Sequence, residues 1–172
     1  MASIEIVVRE PTPQDREIAE LNCEATRHKA AGNLEAAIAC LRQAKEIAAA
    51  HRIPRAVEPA LRLPLFLQQG GYFDAAMVEF EHLLTQAETI AALGLEHLPP
   101  FFRLGYAQHV RGLIYDKMRV ACKREKRTVE AVRYEAARDT CREEFERYQK
   151  MMDLHRQRER KNHAAKTKRV SP

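Results

Sequence analysis

The chain has 172 residues and a formal net charge of +5, with 45% hydrophobic and 31% charged side chains. That balance excludes a disordered polyelectrolyte and is enough for a real core, since a chain of this size buries roughly 70% of its unfolded surface. No apolar run approaches the span of a bilayer, and Met1-Ala2-Ser3-Ile4-Glu5 lacks the basic start and apolar stretch of a secretory leader. The expected location is therefore the cytoplasm, with no membrane partner.

Glycine and proline are few, at six and eight, and Ala, Leu, Glu, Arg and Gln dominate, so an all-α fold is expected. Residues 1–12 read as an N-terminal extended arm, with β-branched Ile4, Ile6, Val7 and Val8 as a lone strand. Thr12, Pro13 and Asp15 form a helix start, with a cap, a proline at the first helical position and a capping-box acid. The first helix should run over 13–31, with Ile18, Leu21, Asn22, Ala25 and His28 on one face. Gly32 ends it and Asn33 caps the second, 34–51, whose stripe is Ala37, Ile38, Leu41, Ala44 and Ala48. A third helix is expected over 55–69, carrying Leu61, Leu65 and Gln68, with a kink at Pro64. After Gly70-Gly71 a fourth covers 73–93 with Ala76, Met77, Phe80, Leu83 and Leu84 inward. A fifth spans 101–124 with Tyr106, Val110, Leu113, Ile114 and Ala121 inward. The sixth runs from Thr128 to about Arg160 with a stripe of Val132, Ala137, Cys141, Phe145, Tyr148 and Met152. Apolar positions vanish after His155, so 13–160 is expected to form one domain and 161–172 a disordered basic tail.

Two segments match each other. Gly32-Asn33-Leu34-Glu35-Ala36-Ala37-Ile38 leads to Leu41, and Gly71-Tyr72-Phe73-Asp74-Ala75-Ala76-Met77 leads to Phe80. The glycine closes one helix, the second alanine permits close packing, and the bulky residue fills the groove. This turn and second-helix pattern resembles the tetratricopeptide repeat over about residues 17–90. The match departs from that family in its 39-residue spacing and in lacking the first-helix Trp, Leu-Gly and Tyr signature. The resemblance implies antiparallel helical hairpins stacked as a short superhelix, capped here by the long C-terminal hairpin. It implies a non-enzymatic adaptor or regulator that binds a peptide or helix of another protein on its concave face. The matching positions are Asn22, Thr26 and Lys29 in the first helix and Leu65, Gln68 and Gln69 in the third. The family's lysine- and asparagine-based carboxylate clamp is not reproduced, so a C-terminal carboxylate ligand is not implied. Residues 61–84 and 114–127 also resemble stretches in small uncharacterised bacterial and prophage proteins, which implies no activity.

Charge is divided unequally. Residues 1–102 hold 9 Lys/Arg against 14 Asp/Glu, whereas 103–172 hold 20 against 10. The basic tracts are Lys123, Arg124, Lys126 and Arg127, then Arg156, Arg158, Arg160 and Lys161, which are the candidate contacts for a nucleic acid or other polyanion. Neither tract holds an aromatic for base stacking, so such binding would be nonspecific. Self-association through the arm or the long hairpin is a further expectation. No phosphate-binding glycine loop, H-E-x-x-H, serine nucleophile or Cys-x-x-Cys pair occurs, so no catalytic residue, metal ligand or cofactor is expected. Cys23, Cys40, Cys122 and Cys141 read as small buried hydrophobes.

Overall fold

The computed structural model describes residues 10–93, 95 and 97–170, with side chains described as far as Asn162. The expected arm at 4–8 lies outside the described residues. Seven helices make up the described chain, in the order α1 (Pro13–Ala30), α2 (Leu34–Ala50), α3 (Val57–Gln69), α4 (Phe73–Thr85), α5 (Ala87–Ala92), α6 (Pro100–Arg124) and α7 (Thr128–Val170). Helix packs on helix throughout, as the composition predicts. Where one domain was expected over 13–160, the chain divides into two compact units, Met1–Arg55 and Ala56–Pro172.

The first unit is the α1–α2 hairpin. Its start is fixed locally: Asp15 N–H donates to Thr12 Oγ1 at 3.1 Å, and Thr12 N–H donates to an Asp15 carboxylate oxygen at 2.8 Å. This reciprocal pair satisfies two amides that have no intrahelical acceptor. All five predicted stripe residues of α2 are buried, with Ala37, Leu41 and Ala44 fully so. They meet Leu21 and Ala25 of α1, the only buried residues of that helix. Alanine at most of these positions lets the helices approach closely, and Leu41, Ile38 and Leu21 supply the larger apolar side chains. Burying a leucine of this kind contributes about 1.5–3 kcal/mol.

The second unit holds the other five helices. α3 pairs with α4, α5 packs on α6, α4 and α3 touch α6, and α7 pairs with α6. Ala76 and Phe80 are fully buried at the positions equivalent to Ala37 and Leu41. Pro64 sits inside α3 and is buried. Pro59 falls in the first turn, where a missing N–H costs nothing.

Four helices end in the same way. At Gly32 (φ 78°), Arg52 (φ 52°), Gly71 (φ 82°) and Lys126 (φ 58°) the backbone turns left-handed. The next amide in each case reaches back to a carbonyl of the last turn, as Asn33 N–H does to His28 O at 2.9 Å and Arg127 N–H to Cys122 O at 2.9 Å. This closes otherwise unpaired carbonyls. Glycine does so without steric cost at two ends, whereas Arg52 and Lys126 hold a conformation that L-residues avoid.

Two expected boundaries are corrected. The fourth helix is broken at Gln86 instead of running to Leu93. Thr85 Oγ1 donates to His82 O at 2.7 Å, and the Gln86 amide turns to Leu83 O at 3.1 Å. The bend lets Ala87 and Ala91 bury along α5. The sixth expected helix, here α7, does not stop near Arg160 but continues to Val170 through the span expected to be a disordered tail. Helical backbone needs no tertiary partner to satisfy its own hydrogen bonds. Extending a helix already nucleated by packing avoids the costly first turn.

Candidate functional site

α6 and α7 meet along a heptad seam. On α7 the covered positions fall at Ala131, Tyr134, Arg138, Cys141, Phe145, Tyr148, Met152 and His155, alternating three and four apart. On α6 the facing series is Phe101, Gly105, Gln108, Gly112, Tyr115, Arg119 and Cys122. Both have the periodicity of a coiled-coil interface. Gly105 is the closest approach: a Cβ built there would clash with Met152 and lie 2.7 Å from Tyr148 Cβ. Rings line the rest. Tyr115 stacks on Tyr134 at 6.2 Å, His109 lies 5.0 Å from Phe145, and His155 meets the edges of Phe101 and Phe102 at 5.7 Å.

The seam is interrupted by charge. Asp116 accepts from Arg119 at 2.8 Å and Lys117 at 3.4 Å, and faces Arg138 of α7 at 3.6 Å. Arg138 also pairs with Asp139 at 2.8 Å and Glu135 at 3.6 Å. Burial pushes the Asp116 carboxyl up, but the hydrogen bonds and charges of Arg119 and Lys117 outweigh it and hold it below the usual carboxylate range. Sequence reading missed this cluster. The available signal was that Arg138 and Arg119 fall in register with the apolar positions of their helices.

The predicted partner-binding residues are not equivalent to one another. In the first unit Thr26 and Lys29 are exposed and Asn22 is half-buried. Asn22 Nδ2 donates to Ile18 O at 2.7 Å, and Thr26 Oγ1 donates to Asn22 O at 3.0 Å, both within α1. In the second unit Gln69 is exposed and Leu65 half-buried. Gln68 corrects the expectation: it is 7% exposed, and its Oε1 accepts from Arg124 Nη1 at 2.7 Å. An amide oxygen buried in this way needs such a donor, so Gln68 is a fastening inside the unit and is not free to grip a partner.

The basic tracts also separate. Besides Arg124, the corner commits Arg127, whose guanidinium lies 4.2 Å over the Phe73 ring and 3.4 Å from Asp74. Lys123 lies 3.8 Å from Glu135. Lys126 is exposed at the turn. Arg124 and Arg127 tie the α6–α7 corner to α3 and α4. The second tract is different. Arg156 pairs with Asp153 at 3.3 Å and lies 5.7 Å over Phe102. From there through residue 162 every side chain is exposed, Arg158, Arg160 and Lys161 included. The tracts lie at opposite ends of α7, about 45 Å apart at about 1.5 Å per residue. They do not form one patch.

Cys122 and Cys141 are buried as expected, and burial pushes both thiols up, with Glu130 and Glu144 adding to it. Cys23 is exposed and Cys40 half-covered, a correction to the reading of four buried cysteines. Each of these two sits beside, not within, the Leu21/Ala25 and Ala37/Leu41 stripes. An open groove lined by Glu88, Ala92, Pro100, Arg103 and Leu104 carries no pair of groups suited to acid–base or nucleophilic work. Among the described residues no cluster of His, Cys, Asp and Glu could hold a metal ion, and no helix is long and apolar enough to cross a membrane. No protein-family model, curated protein or solved structure matches this chain.

Proposed function

We propose that this protein is a non-enzymatic protein-interaction module, an adaptor or regulator that holds a peptide or helix of a partner protein. The observation that carries the reading is the repeated hairpin design. Gly32 and Gly71 share one left-handed turn, and Ala37 with Leu41 and Ala76 with Phe80 are the fully buried anchors of the helices that follow. In the repeat these hairpins resemble, the first helix of each pair lines the concave face that meets a partner. α1 fits that role, since only Leu21 and Ala25 are buried in its eighteen residues. α3 contributes the narrower line of Leu65 and Gln69, because most of its surface is core.

The proposed contacts are Asn22, Thr26 and Lys29 within the first unit and, separately, Leu65 and Gln69 within the second. The test is affinity capture with tagged full-length chain from nuclease-treated extract of the native host. Replacing Asn22, Lys29 and Gln69 together by alanine should abolish capture of a specific partner and leave the melting temperature unchanged. Capture that persists in the triple variant removes this surface assignment.

A further inference from the structure

α6 begins at Pro100, and its first turn is met by His155. α7 nonetheless continues to Val170. Residues 156–170 form an overhang of about 22 Å, at about 1.5 Å per residue. Its described side chains, 156–162, are all exposed. The sequence of the overhang holds Arg156, Arg158, Arg160, Lys161, Lys166, Lys168 and Arg169 against Glu159 alone. Its apolar residues are Ala164, Ala165 and Val170.

The distribution of charge selects the partner. A period of 3.6 residues spreads Arg156, Arg158, Arg160 and Lys161 over about 200° of the helix, and the positions of Lys166 and Arg169 fall in the remaining arc. A helix made to lie in a membrane surface needs an apolar face opposite its cations, and one made to enter a protein groove needs an apolar stripe. This overhang has neither. A helix that is cationic all round suits an environment that is anionic on both flanks. The major groove of duplex DNA is such an environment, about 12 Å wide between two phosphate walls, and a helix with side chains is about 10–12 Å across. A-form RNA has a major groove too deep and narrow for this, and residues 156–172 contain no Phe, Tyr or Trp on which single-stranded bases would stack.

We propose that the C-terminal overhang of α7 is a duplex-DNA-binding helix that lies in the major groove and neutralises phosphates on both walls. The hairpin body holds the helix pre-formed, so ordering it on DNA costs little. Affinity comes from phosphates and is nearly independent of sequence. This is independent of the peptide-binding reading, whose residues lie on α1 and α3.

The test is fluorescence anisotropy of the full-length chain with a labelled duplex of about 20 base pairs at roughly 0.1 M salt. The expected order is duplex DNA ahead of duplex RNA, single-stranded DNA and vesicles of anionic phospholipid. Arg158→Ala, Arg160→Ala and Lys161→Ala together should weaken duplex binding by at least about tenfold and lower the salt slope by about 2–3. All three side chains are exposed, so the melting temperature should not move. Lys123→Ala with Lys126→Ala, at the other end of α7, should change affinity by less than about twofold. Ala164→Pro keeps every charge but breaks the helix ahead of Lys166, Lys168 and Arg169, and should weaken binding by more than about twofold. The proposal is overturned if the full chain shows no saturable duplex binding or if the triple variant binds like the parent. It is also overturned if Ala164→Pro keeps full affinity, which would assign the attraction to unstructured charge, or if vesicles, single strands or duplex RNA bind more tightly.

Discussion

The α1–α2 hairpin and the α6–α7 hairpin solve one problem with different means. The first packs largely on alanine: Ala25, Ala37 and Ala44 are fully buried, and Leu41, with Leu21 and Ile38, fills the space between helices. The second packs on a heptad seam in which glycines, rings and an ion cluster alternate. Small side chains at nearly every contact make a short hairpin tolerant and locally determined. A long seam that mixes Gly105 with Tyr148 and Asp116 with Arg138 depends on matching across about fifty residues of chain. The lesson is that closeness in the first hairpin comes from composition, and in the second from register.

The comparison can be broken most strongly at its bulky anchors. Leu41→Ala removes the larger part of a fully buried side chain of α2, beside buried Ile38, and should destabilise the α1–α2 hairpin by about 2–5 kcal/mol. Equilibrium denaturation followed by α1–α2 hydrogen exchange checks this. A loss under about 1 kcal/mol would mean the alanines suffice. The two seam glycines should respond with opposite signs. Gly105→Ala places a methyl against Tyr148 Cβ and Met152, close to the α7 backbone, and should destabilise by about 1–3 kcal/mol. Gly112→Ala meets only Cys141 Cβ at 3.7 Å, an ordinary contact, and should stabilise by up to about 1 kcal/mol through helix propensity. Equal effects in urea titrations would refute a register-specific close approach.

The turns that close the hairpins sharpen the contrast further. Gly32→Ala should cost about 1 kcal/mol, and Lys126→Gly should gain a similar amount by relieving a left-handed lysine. Asp116 adds a pH dependence of modest size. Its carboxyl is held below its unfolded value, so its contribution is present above about pH 4 and is lost as pH falls through the lower folded value. Asp116→Asn should therefore reduce stability at neutral pH and bring the acid limb of the stability curve closer to flat. The smallest effect is expected from deleting 161–172. No described side chain beyond His155 is buried, so the melting temperature should stay within about 1 °C. The deletion also removes Lys161, Lys166, Lys168 and Arg169, lowering the net charge by four.

What was legible in the sequence follows the same division. The α2 stripe could be read residue for residue, because its apolar spacing is local and each member is buried for the same reason. The capping at Thr12 and the turns at Gly32 and Gly71 were legible too, since each is set within a few residues. α7 was read less well. Val132 was placed inward but is 66% exposed, and Ala131 is buried in its place. The true seam runs through Tyr134 and Arg138, polar side chains that mask a heptad when only apolar residues are counted. The resemblance makes Gln68 a binding residue, because it matches a concave-face position of the repeat and nothing nearby in the sequence pairs with it. Its partner, Arg124, is 56 residues further along the chain. The proposed binding face was legible only as a resemblance; the α1 positions assigned to it are exposed or half-buried, whereas most of α3 is consumed by the core.

The ion cluster at the middle of the long hairpin acts as a ratchet tooth. A seam of rings and glycines alone could slide by one heptad with little change in the character of its contacts. Asp116 opposes that. Sliding by seven residues in one direction would set Arg138 against Lys123, a second cation, and in the other against His109. Asp116 itself would then lie against Phe145 or Ala131, half-covered and without a cation across the seam. Each slipped arrangement loses the Arg138–Asp116 pair across the seam and leaves Asp116 only the cations of its own helix, whereas the observed one joins both helices. The cluster thus selects one alignment of two long helices from the several their apolar pattern would accept, and through that alignment it sets how far α7 runs on past the last turn of its partner.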